Sequence, residues 1–143
     1  RSEFGPRALG NRSLLADPRK ISTKHQVNAI KRRQKFRPFA PAILEEYCTD
    51  YFEMPGHSRY MSYVYQCKRP HDIPAVLHVD NSARVQTVPE SSESILRDVL
   101  EVWYEHTGCP VLLNTSLNIR GMPMVNDFCD ALNFSSKYNV SVF

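Results

Sequence analysis

Residues 92–114 constrain this chain more than any other stretch. From Ser92 to His106, the apolar residues Ile95, Leu96, Val99, Leu100, Val102 and Trp103 recur with the period of one helical face. Gly108 follows where such a helix would end, since glycine readily takes the left-handed C-cap conformation. Pro110 to Asn114 (PVLLN) is then a short apolar run that predicts a buried strand. A helix with one apolar face, tied by a short link to a buried strand, needs a sheet to lie on. Layers of that kind belong to α/β or α+β domains with a mostly central sheet.

The other segments fit that class. Residues 1–20 hold two glycines and two prolines and read as a loop with tight turns, interrupted by an extended piece at Ser13–Ala16. Ser22 to Lys35 predicts a helix, capped by Ser22 or Thr23, with Val27, Ile30 and Gln34 sharing a face. Arg37-Pro38-Phe39-Ala40-Pro41 stops it, because proline and the residue before it resist helical continuation. Ala42 to Phe52 predicts a second helix on the i, i+4, i+8 spacing of Ile43, Tyr47 and Tyr51. Strands are expected over Tyr60–Cys67, Ala83–Val88 and, briefly, Met124–Val125. A last helix is expected over Asp127–Ser135. The final residues, Val140 to Phe143, read as a strand just starting. The ends look cut, so one domain of a longer protein is expected, shortened at both ends.

Composition narrows the class of partner. The chain has 143 residues and a formal net charge of +3. That balance hides an asymmetry: residues 1–37 carry eleven Lys/Arg and two acids, and the rest carries seven and thirteen. The first quarter is built to meet something negative, either nucleic acid or a phosphorylated ligand. No apolar run approaches the roughly 18 residues of a membrane span. The four cysteines (48, 67, 109 and 129) form no CxxC pair. Reduced, partly buried thiols are expected. The histidines show no metal-ligand spacing, and neither a hydrolase elbow nor a Walker loop is present.

Four segments can carry chemistry. In Glu3-Phe4-Gly5-Pro6-Arg7-Ala8-Leu9-Gly10-Asn11-Arg12-Ser13, two arginines in a glycine-bearing loop can converge on an oxyanion. In Asn28–Pro41, Lys31 and Arg37 are the candidates. Phe36 and Phe39 are expected to anchor the turn and hold Arg37, leaving Arg32, Arg33 and Lys35 as solvated surface. In His78–Val88, a turn feeds a strand that begins with Arg84. In Leu112–Asn118, polar residues follow an apolar strand and can offer neutral hydrogen bonds to a phosphate or an amide. Taken singly, each segment also reads as ordinary surface or turn.

Together and in this order, EFGPRALGNRSLLADPR, NAIKRRQKFRPFAPAILEE, HVDNSARVQTV and TGCPVLLNTSLN resemble the C-terminal region of O-carbamoyltransferases of the NodU/CmcH type. The resemblance runs from Glu3 to about Asp130. It implies a YrdC-like domain with a twisted mixed sheet flanked by helices. Such a domain binds ATP, with Mg2+, and carbamoyl phosphate, and makes carbamoyladenylate. A preceding Kae1-like domain, holding Fe2+ or a similar metal and absent from this sequence, would pass the carbamoyl group to a hydroxyl acceptor.

Matched residue by residue, the resemblance makes Lys31, Arg37 and Arg84 the catalytic set. Arg7, Arg12, Asn114, Thr115 and Ser116 become substrate contacts, and no metal ligand falls in this domain. It implies a cytoplasmic biosynthetic enzyme, with nucleic acid and membrane not expected as partners. A YrdC-like nucleic-acid-binding module, or an inactive interaction module, is the alternative. The chain departs from the family pattern at Asn81, where glycine is usual, at Leu117, where phenylalanine is usual, and at Gly121-Met122-Pro123, which lacks an acid.

Overall fold

A computed structural model describes Gly5 and residues 7–142 of the chain. The opening of the first motif, Glu3 and Phe4, and its Pro6 lie outside the described residues, as does Phe143. The elements are β1 (Ser13–Ala16), α1 (Ile21–Ile30), β2 (Ala40–Leu44), α2 (Cys48–Tyr51), β3 (Val64–Gln66), β4 (Ser82–Arg84), β5 (Gln86–Val88), α3 (Ile95–Thr107), β6 (Val111–Ser116) and α4 (Phe128–Tyr138). The expected mixed α/β class is found. Four strands form an open sheet in the order β1-β6-β2-β5. Strand β6 runs antiparallel to β1 and β2, and β5 runs parallel to β2. β3 and β4 make a separate antiparallel pair.

Alternation along the strands builds two cores. Ile43 of β2 and Val111 and Leu113 of β6 pack with Val27 of α1 and with Phe39, Phe52, Ile73 and Val76. Ala42 and Leu44 of β2, Leu112 of β6 and Val88 of β5 pack against Leu96 and Leu100 of α3. Each such buried aliphatic side chain contributes about 1.5–3 kcal/mol. Helix α3 starts where Ser94 Oγ accepts from the Leu96 N–H and stops at Gly108, which is left-handed at φ 68°. Its predicted stripe is only half covered. Ile95, Val99 and Val102 stay exposed and line a groove of about 670 Å3 with Leu15, Phe128 and Ala131.

Several expectations need correction. Residues 42–52 do not form one helix: Ala40–Leu44 is a strand buried at every position. A central strand with neighbours on both edges shows a continuous apolar run, so its periodicity does not declare it. Helix α1 ends at Ile30, because Arg32 is left-handed at φ 51° and the chain folds back. Neither Ser22 nor Thr23 caps it; the capping position is Lys20, without a side-chain bond. The strand over 60–67 shrinks to Val64–Gln66, and Met61 is left-handed at φ 55°. The strand over 83–88 changes partner at Val85, with β4 pairing β3 and β5 pairing β2. No strand forms at Met124–Val125 or among Val140–Val142.

The four thiols are free, as expected; three are buried and Cys129 is exposed. No described helix is long and apolar enough to cross a membrane.

Candidate functional site

The candidate residues fall into two groups at the end of β6, with one outlier. The first group is Arg7, Arg84 and Asn114. Asn114 and Gln86 sit on the α3 face of the sheet, with the small residues Ala40 and Ala42 of β2 between them. Their amides meet across β2, Asn114 Nδ2 donating to Gln86 Oε1 at 2.7 Å. Both side chains then grip the segment from Arg7 to Gly10. Asn114 Nδ2 donates to the Ala8 carbonyl at 3.1 Å, and Gln86 Nε2 to the Leu9 carbonyl at 3.1 Å. Gly10 lets the segment come this close. Its φ of 133° is disfavoured for other residues, and a Cβ there would lie 2.9 Å from Leu96 Cβ.

That seating brings Arg7 beside Arg84. Burial first, and then the like charge of Arg7, push the Arg84 guanidinium below the usual arginine value. Arg84 Nε and Asn114 Oδ1 are both buried without a hydrogen-bond partner. Neither arginine makes an ion pair with a described residue. A buried donor, a buried acceptor and two cations near enough to repel are an arrangement a ligand anion would complete.

The second group surrounds Lys31, which is only 4% exposed. Its Nζ donates to the Ser116 carbonyl, to the Asn118 carbonyl at 2.8 Å and to Asn118 Oδ1 at 3.1 Å, with Ser116 Oγ at 3.4 Å. Among the described residues no carboxylate balances this ammonium. Burial, with Arg33 adding repulsion, lowers its pKa to about 8. The Lys31 carbonyl also accepts from the Arg120 N–H at 3.0 Å. Lys31 therefore ties α1 to the loop after β6. Arg12 braces the same loop: its carbonyl accepts from Leu117 N–H at 2.8 Å, and its Nη1 donates to the Val125 carbonyl at 3.3 Å. Thr115 stands opposite Leu14 in the β1–β6 ladder.

Arg37 is the outlier. It is exposed, as is Phe36 at 74%, so of the two aromatics Phe39 alone is buried. Arg33, expected to be solvated, is the held cation instead. Its Nε donates to Asn28 Oδ1 at 2.6 Å, its Nη2 to the Pro38 carbonyl at 3.1 Å, and its guanidinium lies 4.3 Å over the Phe39 ring. Burial, then the nearby Arg37, lower its pKa to about 10. The fully buried Asn28 closes the turn by donating to the Lys35 and Arg37 carbonyls.

Three residues around Arg84 and His78 escaped the sequence reading. Gln86 orients Asn114, as described. Lys24 is buried, its Nζ donating to the Leu77 carbonyl at 2.9 Å. His78 rests on Ser82, with Nδ1 and Oγ 3.0 Å apart. Gln86 lay in the quoted ARVQTV motif, two residues after Arg84, and the alternation of that motif already put both on one face. Lys24 carried no signal beyond its place on α1. Asn81, replacing the usual glycine, adopts φ 62°. The turn is kept because asparagine tolerates that region.

The family described as carbamoyltransferase C-terminus matches residues 1–143. Nodulation protein NolO of Bradyrhizobium diazoefficiens is 44% identical over 92% of this chain and 25% of its own length. Nodulation protein NolNO of Sinorhizobium fredii is 44% identical over 92% of this chain and 20% of its own length. Nodulation protein U of Sinorhizobium fredii is 44% identical over 85% of this chain and 22% of its own. The chain thus spans about a quarter or less of each of these relatives.

Proposed function

Because the chain belongs to the carbamoyltransferase C-terminus family, we propose that it serves carbamoyl transfer by binding carbamoyl phosphate and ATP and forming carbamoyladenylate. A second, Kae1-like domain of a longer cytoplasmic protein would then pass the carbamoyl group to a hydroxyl acceptor. The observation that carries this reading is the pair Arg7 and Arg84, close enough for one charge to act on the other and without an ion pair to any described acid, with Arg84 Nε buried and unpaired. Two like charges facing each other in a partly buried site are unfavourable until an anion stands between them. A phosphate dianion or a polyphosphate meets that need, and guanidinium offers it a fork of donors.

The chemistry asked of this site is attack on a phosphorus atom, which depends on positioning and charge neutralisation. The residues suit those tasks. Arg7 and Arg84 would neutralise phosphate oxygens. Asn114, fixed by Gln86 and Ala8, would supply an oriented amide. Lys31 has its protons committed to Ser116 and Asn118, so its part is to hold the Asn114–Asn118 stretch beside the arginines. Arg37, exposed on its turn, would meet the outer phosphates. Magnesium would arrive with the nucleotide; the nearby Asp80 is already engaged by Ser82.

The test is pyrophosphate release and AMP-carbamate formation from ATP and carbamoyl phosphate. Activity present in the wild type and absent in Arg84→Met, with the fold retained, supports the reading. Undiminished activity in Arg84→Met refutes this site, and no ATP or phosphate binding by the wild type refutes the function.

A further inference from the structure

The turn before β4 holds a chain of hydrogen bonds that fixes the position of one proton. Asp80 Oδ1 accepts from the Ser82 backbone N–H at 3.0 Å and from the Ser82 hydroxyl at 2.6 Å. With its hydrogen given to Asp80, Ser82 Oγ has only lone pairs to offer His78 Nδ1 at 3.0 Å. Nδ1 therefore carries the hydrogen, and in the neutral ring the free lone pair is at Nε2. The backbone locks this arrangement: His78 N–H donates to the Ser82 carbonyl at 2.8 Å, and Asn81 N–H to the His78 carbonyl at 3.2 Å. Nε2 has no hydrogen-bond partner among the described residues.

The charged groups facing His78 come from three elements. Asp80 of its own turn favours the protonated ring. Arg84 of β4 and Lys24 of α1 oppose it, and burial opposes it most, so the imidazole sits below its usual value. His78 also stands near Arg84, whose charge acts on it. Ala83 and Val85 point into the core, so Ser82 and Arg84 project from the other face of the strand, and the His78 ring rests on Ser82.

Arg7 and Arg84 can only donate, which suits a phosphate. They do not distinguish a carbamoyl phosphate from any other acyl phosphate. What distinguishes it is an NH2 group, and an NH2 needs a lone pair opposite it.

We infer that His78 Nε2 accepts a hydrogen bond from the carbamoyl NH2 while Arg7 and Arg84 hold the phosphate, which makes His78 the residue that selects carbamoyl phosphate over acyl phosphates lacking N–H. The inference rests on the anion-site reading above. A site that hydrogen-bonds a ligand N–H leaves its own group unpaired when the N–H is replaced by a methyl.

Calorimetric titration of the intact polypeptide with carbamoyl phosphate, acetyl phosphate and inorganic phosphate at pH 8, where the ring is neutral, tests it. The wild type is expected to prefer carbamoyl over acetyl phosphate by about tenfold or more. His78→Ala should show no preference while inorganic phosphate still binds. His78→Gln, whose amide oxygen can still accept, should keep part of the preference. A preference that is equal in wild type and His78→Ala overturns the inference. Equal wild-type affinity for the two acyl phosphates, with inorganic phosphate binding lost in Arg84→Met, overturns it alone and leaves the anion site standing. Failure of all three ligands to bind removes both. If His78→Ala does not fold, His78→Gln and His78→Phe decide: part of the preference kept in the first and lost in the second supports the inference, and the full preference kept in His78→Phe overturns it.

Discussion

Replacing Gly10 by alanine should unseat the loop that brings Arg7 to Arg84. Two costs add at this position. A side chain at φ 133° is strained, at about 1–3 kcal/mol. The added Cβ also meets Leu96 Cβ at 2.9 Å and Ser94 Oγ at 3.1 Å. Those atoms belong to the capped start of α3, which cannot retreat without loosening the Ser94 cap or the Leu96 contact in the core. Overpacking of that kind costs about 1–3 kcal/mol. The sum is about 2–5 kcal/mol if the loop stays. If the loop lifts, the bonds from Asn114 and Gln86 to the Ala8 and Leu9 carbonyls are lost instead, leaving buried amide hydrogens unpaired. Either way Gly10→Ala should lower Tm by roughly 5–15 °C for a domain of this size. It should also weaken phosphate binding, although Gly10 itself need touch no ligand. Thermal unfolding and a phosphate titration read the two effects, and hydrogen exchange at residues 7–12 reports whether the loop has lifted. A Tm within about 1 °C of wild type, with unchanged phosphate binding, would refute this account of the loop.

Arg84→Met removes a buried, unpaired donor and the repulsion with Arg7. It should leave stability unchanged or raise it by about 1 kcal/mol in chemical denaturation, while phosphate binding is lost. Lys31 has a folded-state pKa of about 8 against an ordinary 10.5. The unfolded chain therefore binds more protons between those values, and stability from this group should rise with pH across that window. The difference in unfolding free energy between wild type and Lys31→Met, followed from pH 7.5 to 10.5, should show the rise. Asn28→Leu leaves Arg33 Nε and two carbonyls of the turn without their partner and should cost about 2–4 kcal/mol by denaturant titration. Arg37→Ala should change stability by less than about 0.5 kcal/mol in the same assay, since the residue is exposed.

The helix α3, its glycine stop and strand β6 were legible because each carried its own signal: a periodic stripe, a C-cap residue and a short apolar run. Strand β2 was not. Ala40–Leu44 is buried on both faces, so nothing in it alternates, and Ile43, Tyr47 and Tyr51 happen to fall at helical spacing. Pro41 added to the misreading, since proline is rare inside central strands. It is accommodated because the pairing with β5 begins only at Ala42. The turn after α1 was misjudged for a related reason. Its anchor is a polar residue, Asn28, and hydrophobic patterning is blind to a buried asparagine that works by hydrogen bonds. The expectation that Phe36 and Phe39 together hold Arg37 treated both aromatics as core, whereas the turn has room to bury one.

The basic N-terminal quarter resolves once each cation is asked which oxygen it holds. Burying an ammonium or guanidinium is costly unless oxygens replace the lost water. Lys24, Lys31 and Arg33 meet that requirement with carbonyl and amide oxygens of the chain, and each ties α1 or the turn after it to a neighbouring segment. They are cations by composition and fasteners by position. Arg12 and Arg84 are both part-buried with no such oxygen at Nε, but Arg12 reaches the Val125 carbonyl through Nη1, whereas Arg84 has no partner among the described residues and lies near Arg7 besides. A charge left in that condition is tolerated by a fold whose stability comes from elsewhere, here from the two apolar cores on either side of β2. The same criterion separates Arg84 from Arg97, which is also buried but is matched by Glu46, Glu101 and the Val88 carbonyl. Net charge could not have made this division, because it counts cations without their partners. An unmatched, part-buried guanidinium is what a phosphate ligand needs, and in the described residues it lies beside Arg7 and His78.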